Sequence, residues 1–593
     1  MSVQKEPACE RLLRRPGLAA LGCGLLTVVL TWPLAARLGS ALPAGAVDLW
    51  QNVWNFWWWD TALREGRSPF WTPYLFHPTG VELVFHTHSL FNMLALPVVR
   101  LVGPEAAYGL CVLFSTWLTA FGGYLLAREL TGSARAGLLA GLVFAFFPHR
   151  LEQTLEHLNL FSTQFLPLTL WAFVRLARKG GRSTACVLGL FFALNALCDW
   201  QLALMLTLLL AVVALVALLR PSRPRAAFAR DLTVAGAVAT LLTLPAAWPL
   251  LSGMATGAHH QKAPEEKGID ATFLLRPHFH HPLWGRLTRE GYATERAYGS
   301  AGFVSYLGVV PLALAGVALA RRAPGSGTWS GIFVASLVLA LGAHPWWRGR
   351  LVENITLPFA VFQHVPLLSL LRVANRFLIP AGLALGVLAA LGWMGLRRRS
   401  DARFAWVFTL VALDYLWLPY PLRTDTLSPF YGSLREGSPP GAVLDIPLTW
   451  LTVAGHNMRA QIVHGRPIAG GYVTVLAPEP LRAIRYEPAL ADLAGLAPKL
   501  ERPLDRERLV ALGFGVAVLH KDRTRGFADR MRVASDPEDL FADRIAGRVG
   551  LMSEARFREA RRRFVEACGA PLYEDEKLAA FDLHHAGSGR SAR

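Results

Sequence analysis

Asp48 has the residue type and the setting for proton transfer. It stands about ten residues beyond the first apolar run, in Val47-Asp48-Leu49-Trp50-Gln51-Asn52-Val53-Trp54-Asn55-Phe56-Trp57-Trp58-Trp59-Asp60. A carboxylate just outside a membrane helix, leading into a tryptophan-rich segment, suits chemistry on a lipid-linked substrate. A general base needs only to reach the acceptor hydroxyl within hydrogen-bond distance. The same residue type is also a preferred helix N-cap, and spacing leaves both roles open.

Two further clusters carry charge. In Pro148-His149-Arg150-Leu151-Glu152-Gln153-Thr154-Leu155-Glu156-His157-Leu158-Asn159, helical spacing puts Glu152, Glu156 and Asn159 on one face, and Gln153 with His157. Ionisable groups at the membrane edge are costly and often functional, so this segment is either a second acidic or imidazole element facing Asp48 or a wet interfacial loop. Arg372 and Arg376 are four residues apart, so two guanidiniums on one face can hold a phosphate or snorkel as anchors. Trp50, Trp54, Trp57 and Trp58 share a helix face. They read either as interfacial anchors only or as anchors that also steer a lipid carrier toward Asp48. His278, His280 and His281 have no Asp or Cys at a metal-site spacing, and a structural or substrate-contact role is favoured over metal. Asp199 is placed in a tight turn that it caps.

The elements that must position these residues are membrane helices. The 593 residues are 53% hydrophobic with 19 Trp, and mean hydropathy is +0.34. Apolar runs of the length needed to cross a roughly 30 Å bilayer core recur along the chain. About eleven spans are expected, near 17–37, 105–127, 134–148, 160–176, 184–198, 201–219, 231–250, 302–320, 328–344, 377–396 and 403–420, the shorter ones tilted or in thinned bilayer. The segment 89–103 is short and carries Pro97 and Arg100, so it is read as re-entrant or interfacial. The N-terminal basic residues before an apolar run, without a cleavage site, read as a retained signal anchor.

The net charge of +18 does not imply nucleic-acid binding, because the arginines fall between apolar runs. With a cytoplasmic N-terminus, the inside loops carry Arg128 and Arg135, then Arg175 to Arg182, Arg220 to Arg230, Arg321 and Arg322, and Arg397 to Arg403. That is the positive-inside pattern. Residues 38–104, a loop near 251–301 and the tail then face outward. The division is 1–420 for the membrane part and 421–593 for a soluble outer α/β domain, with short strands at 442–447 and 514–519 and helix-like stretches such as 480–497. The six cysteines show no metal spacing, and Cys568 alone lies in the tail, which excludes a disulfide within it.

Taken together, the chain resembles the GT-C superfamily of integral-membrane glycosyltransferases, closer to a bacterial branch than to oligosaccharyltransferases or protein mannosyltransferases. The resemblance is carried by the first loop with Asp48 and its tryptophan helix, Phe76-His77-Pro78-Thr79-Gly80, Pro148-His149-Arg150 through Asn159, Phe279-His280-His281-Pro282-Leu283, Arg372 to Phe377, and Gly465-Arg466-Pro467-Ile468 with Gly470-Gly471-Tyr472. It implies a mainly α, polytopic bundle in a bacterial cytoplasmic membrane. It also implies inverting transfer from a polyprenyl-phosphate-linked sugar to a glycan, lipid or protein acceptor. Asp48 would be the base, with Trp50, Trp54, His149, Arg150, Glu152, Glu156, His157, Arg372 and Arg376 around the substrate. Asp48 lacks an adjacent acidic partner, leaving Glu152, Glu156 and Asp60 as candidates, and a metal-free mechanism without cofactor is expected. A flippase for lipid-linked sugars and a non-catalytic scaffold are the alternatives. The flippase predicts charge deep in the spans, for which Asp414 is a candidate.

Overall fold

The computed structural model describes residues 8–45, 47–255, 268–294, 304–362, 364–365, 368–397, 399–424, 426–448, 454–494, 502–521 and 554–586. Parts of the expected 251–301 loop, Pro366, Arg398 and the end of the 480–497 stretch lie outside them.

The chain is mainly helical. Helices occupy each of the apolar stretches: Pro16–Leu30, Pro104–Thr131, Ala134–Ala145, Phe165–Lys179, Arg182–Cys198, Trp200–Leu219, Arg225–Ala255, Val309–Ala320, Ser326–Ala340, Leu378–Gly395 and Asp401–Asp414. Among the described residues, five helical segments are long and apolar enough to cross a membrane: Pro104–Thr131, Leu158–Lys179, Trp200–Leu219, Arg225–Met254 and Ala374–Gly395. The last of these is almost wholly buried and forms the centre of the bundle, whereas Arg225–Met254 is almost wholly exposed at its edge.

Small residues allow the central helices to meet backbone to backbone. A Cβ added at Gly141 would lie 2.3 Å from Ala120 O, and one at Gly392 would lie 1.9 Å from Leu314 O. Membrane bundles use such positions because lipid tails are as apolar as the helices, so close packing must hold them together.

At the end carrying the basic loops, acids tie the helices. Glu10 accepts from Ser133 Oγ at 3.1 Å and pairs with Arg135 Nε at 3.0 Å. Arg135 also reaches Asp401 at 3.2 Å, and Asp231 pairs with Arg223 at 2.6 Å. Asp414 is used in the same way: it accepts from Tyr306 Oη at 2.5 Å and from Val310 N at 2.9 Å, satisfying the first turn of the helix that begins at Val309.

The tail holds a four-stranded sheet with spatial order Ala442–Ile446, Phe514–His520, Leu578–Asp582, Tyr573–Glu574. The first pair is parallel and the others antiparallel. Both faces are buried. Leu444, Ala517 and Phe581 pack on Phe557 and Phe564 of the helix Glu554–Cys568. Val443, Val516 and Val518 point the other way and pack with Trp54, Trp58, Phe76 and Ile468. The tail thus shares a hydrophobic core with the first outer loop. Leu42 and Pro43 pair with Arg423 and Leu422 at the junction.

This packing corrects the reading of the tryptophans as interfacial anchors. Trp54 is fully buried and stacks on Trp58 with ring centroids 5.9 Å apart. Its Nε1 donates to Gln461 Oε1 at 2.7 Å. Trp50 is buried beneath the Arg459 guanidinium, 4.7 Å from its ring. Trp54 and Trp58 are covered by the tail sheet, and Trp50 packs with Val53, Tyr108 and Tyr420, so large apolar area is buried within the protein.

Candidate active site

The tryptophan helix runs Val47–Arg64 and places Asp48 in its first turn, where a carboxylate complements the helix dipole. Asp48 stands one residue inside the helix start. Its backbone N–H donates to Glu156 Oε2 at 3.4 Å, and Asn52 Nδ2 donates to Glu156 O at 2.9 Å. The Asp48 side chain turns instead to His157, with Oδ2 3.1 Å from Nε2. Both side chains are about a quarter exposed, at 25% and 24%, so they are reachable from solvent or a ligand.

That opening is a cavity of about 610 Å³. It brings Asp48 and His157 together with Arg372 and Arg376, which come from 215 or more residues further along the chain. Arg376 donates to Gln201 Oε1. Asp199 lines the cavity while capping the helix Trp200–Leu219: its Oδ1 accepts from Gln201 N at 2.7 Å and Leu202 N at 3.1 Å, and Oδ2 accepts from Asn159 Nδ2 at 2.6 Å. An apolar wall comes from Ala246, Leu250, Leu251 and Met254 of the exposed edge helix.

Other expected site residues fall outside the cavity lining. Arg150 is fully buried and donates to Thr163 Oγ1 at 2.7 Å, Ala145 O at 2.7 Å, Ser115 Oγ at 3.0 Å, Thr119 Oγ1 at 3.1 Å and Phe161 O at 3.2 Å. Its guanidinium also lies 3.9 Å from the centre of the Phe161 ring. These contacts engage all three guanidinium nitrogens, so Arg150 braces the helices and is corrected from substrate contact to structural. His149 is buried with Nδ1 3.1 Å from Val304 O, and burial holds its pKa down at about 4. Glu152 accepts from Val304 N at 2.8 Å. Glu156 lies beside Asp48 on the backbone side. Asp60 is excluded as a partner: twelve residues along one helix place it roughly 18 Å from Asp48, and it pairs with Arg100 at 2.6 Å and Arg64 at 2.9 Å.

Several cavity residues went unmarked in the sequence. Val84-Phe85-His86-Thr87-His88-Ser89 forms a polar rim. His86 Nε2 lies 2.8 Å from Asn55 Oδ1, and burial pushes its pKa well below the ordinary imidazole value. His88 accepts from Trp59 Nε1 at 3.0 Å, and burial lowers its pKa to about 4. The alternation of histidines just ahead of an apolar stretch was a usable signal. Thr474, from the tail, had none. Its Oγ1 lies 2.9 Å from both Gln51 Nε2 and Thr87 Oγ1. Asn375, between the two arginines, lines the cavity with its Oδ1 buried and unpaired among the described residues.

His278 and His281 lie elsewhere: His281 Nε2 is 2.8 Å from Leu413 O, and the His278 ring lies 4.1 Å from that of Trp417. Among the described residues, no group of three His, Cys, Asp or Glu side chains is arranged to hold a metal.

Residues 17–415 match the family described as Domain of unknown function (DUF6311). The chain belongs to this DUF6311 family. No match was found among curated proteins. Among solved structures, the arabinofuranosyltransferase AftD from Mycobacteria superposes with a TM-score of 0.56 at 16% identity, over 86% of this chain and 35% of AftD. The DUF6311 chain therefore spans about a third of AftD's length. The oligosaccharyltransferase AglB from Archaeoglobus fulgidus gives 0.48 at 14% identity, covering 88% of this chain and 72% of AglB. ArnT from Cupriavidus metallidurans gives 0.42 at 12% identity, covering 95% and 98%. The fold is that of the GT-C membrane glycosyltransferases.

Proposed function

We propose that this chain is a membrane glycosyltransferase that moves a sugar from a polyprenyl-phosphate-linked donor to a cell-envelope acceptor. The observation that carries this reading is one cavity holding a carboxylate with an imidazole, two guanidiniums and an apolar wall at the lipid-facing edge. These are the parts such a transfer needs: a base, a seat for a leaving phosphate, and a path for an isoprenoid chain.

In the proposed step, Asp48 accepts the proton of an acceptor hydroxyl as that oxygen attacks the anomeric carbon. The new glycosidic C–O bond forms on the face opposite the breaking C–O bond to phosphate, so configuration inverts. The lipid phosphate leaves with the bonding pair, and Arg372 and Arg376 stabilise its growing charge. His157 holds the Asp48 carboxylate in place. Because Glu156 directs its carboxylate to a backbone N–H, we propose that the base works without a metal.

We further propose that all eleven apolar helices span a bacterial cytoplasmic membrane, with the N-terminus inside. The first loop and the α/β tail then lie on the outer, periplasmic side, and the cavity opens there. The basic loops support that orientation.

The test is transfer by membranes holding wild type or Asp48→Asn at matched levels. AftD is an arabinofuranosyltransferase, so radiolabelled polyprenyl-phosphate pentofuranose heads the donor panel, followed by hexopyranose donors. Wild type should transfer label to native envelope acceptors, and the variant should lose about 10²- to 10⁴-fold. Equal transfer by both would remove Asp48 from the mechanism. No transfer by wild type with any donor would favour transport or scaffolding.

A further inference from the structure

We propose that Thr474, Gln51, Thr87 and His86 form a seat for an uncharged sugar ring, built jointly by the tail and the first outer loop. The proposal rests on the glycosyltransferase reading and specifies how that site recognises its sugar.

The four side chains form one connected network at the cavity wall. Thr474 Oγ1 lies 2.9 Å from Gln51 Nε2 and 2.9 Å from Thr87 Oγ1. Thr474 N and Gln51 Nε2 both approach His86 Nδ1 as donors, at 3.2 and 3.3 Å. All four line the cavity. Gln51 is three residues after Asp48 on the same helix, so the two share a face with Cβ atoms about 5–6 Å apart.

The chemistry of this patch differs from that of the rest of the lining. It presents hydroxyl, amide and imidazole groups with no Lys, Arg, Asp or Glu among them. Burial keeps His86 uncharged. A phosphate gains most from cations, and the cations of this cavity come from the 372–376 segment. A neutral set of donors and acceptors instead matches the mixed donor–acceptor pattern of sugar hydroxyls. Near the arginines, the buried unpaired Oδ1 of Asn375 adds an acceptor suited to a hydroxyl.

The tail holds Thr474 rigidly. Ile468 N donates to Tyr74 O at 2.9 Å, Phe76 N donates to Gly470 O at 3.1 Å, and Gln461 Nε2 donates to Tyr74 O at 2.6 Å. A Cβ on Gly471 would come within 3.0 Å of the Leu75 side chain, at a backbone φ of +150°. The segment that leads to Thr474 is therefore tied to the first loop before any ligand arrives, which lowers the ordering cost of binding.

A sugar can enter this seat as the donor's glycosyl group or as the acceptor's terminal ring, and one binding experiment separates the two. Purified full-length protein is titrated with bare polyprenyl monophosphate, with polyprenyl-phosphate pentofuranose, and with a free oligosaccharide of the same pentofuranose in the presence of polyprenyl monophosphate. Thr474→Val, and independently Thr87→Val, should weaken a sugar-bearing ligand by about 3- to 10-fold. Affinity for the bare lipid should stay as in wild type, and Thr474→Ser should restore the sugar increment. Loss confined to the pentofuranose lipid assigns the seat to the donor, and loss confined to the oligosaccharide assigns it to the acceptor. Equal loss on the bare lipid, or no loss on either sugar ligand, overturns the seat while leaving the transferase reading intact. If wild type fails to bind the bare lipid, the transferase reading fails, and the seat falls with it.

Discussion

Replacing Arg150 tests whether this buried guanidinium serves the fold or the substrate. Two effects oppose one another in Arg150→Met. Removing a buried charge relieves its desolvation, and hydrophobic replacement of buried ions is often neutral or better. Against this, five acceptors lose a charged donor. Three of these recover partners among themselves or nearby: Ser115 Oγ retains Gln164 Oε1 at 2.7 Å, and Thr119 and Thr163 hydroxyls lie 3.4 Å apart. Phe161 O also keeps Thr163 N at 2.7 Å. The carbonyl of Ala145, at a helix end, loses its Arg150 bond at 2.7 Å. One buried carbonyl left unpaired costs about 1–3 kcal/mol, and the cavity left by the planar group adds to it, so the net loss is about 2–4 kcal/mol. Arg150→Lys should be no better, because it keeps the buried charge with fewer donors to spread over the same acceptors. Thermal unfolding in detergent, followed by the fluorescence of the 19 tryptophans, should show a clear fall in Tm for both variants. Polyprenyl-phosphate affinity measured on the surviving folded fraction should stay within about twofold of wild type. A wild-type Tm combined with weakened lipid-phosphate binding would refute this reasoning and return Arg150 to substrate contact.

The remaining predictions concern the cavity and the tail. Arg372→Ala and Arg376→Ala should each weaken binding of bare polyprenyl phosphate by about tenfold or more, with the effect shrinking at high salt, as titration at two ionic strengths would show. His157→Gln should lower kcat while leaving donor KM within about threefold, because it loosens the base without touching the lipid phosphate. Transfer should survive chelation by EDTA, and a stimulation by added divalent cation would contradict the metal-free step. In the tail, burial holds His464 near a pKa of about 4, below the free value of 6.5, with Arg466 adding to the shift and Asp445 opposing it. A depressed histidine contributes stability that is complete above pH 6.5 and lost as pH falls toward 4. Because the side chain is buried, this amounts to roughly 3 kcal/mol. Tail unfolding monitored by denaturant between pH 7 and pH 4 should therefore weaken in wild type and change less in His464→Phe.

What the sequence disclosed follows the range of the physics involved. Apolar runs and arginine placement are local signals, so helices appear at the expected stretches. The strands Ala442–Ile446 and Phe514–His520 are likewise legible as short β-branched and apolar runs. Asp48 and His157, and the Arg372 and Arg376 pair, were recognisable because ionisable groups at a membrane edge are scarce. Local signals fail where a residue has two uses. Trp54, Trp58, Arg150 and His149 have the composition of a binding site, yet tertiary packing puts them in the core. Trp54 and Trp58 are buried by the tail sheet, Arg150 by the neighbouring helices and His149 against Val304, long-range contacts that no local pattern encodes. Thr474 shows the converse: a common residue type gains its role only through Gln51 and Thr87, hundreds of residues away in the chain.

The division of labour around Asp48 follows from helix-end electrostatics. A first-turn aspartate ordinarily has two demands on it, from the unpaired N–H groups of its own helix and from whatever lies in front of it. Here Glu156 meets the first demand at the Asp48 N–H, and Asn52 fastens both Asp48 O and Glu156 O, at 2.8 and 2.9 Å. The Asp48 side chain meets His157 beside the cavity. Removing Glu156 should therefore act at a distance from the ligand. In Glu156→Gln the neutral amide oxygen still accepts from the N–H but more weakly, so the Asp48 carboxylate is drawn partly back toward its own helix end. Such a shift should lower kcat without changing affinity for bare polyprenyl phosphate, whereas Glu156→Ala should lower it further. Equal kcat in wild type and both variants would mean that Asp48 holds its orientation through His157 alone.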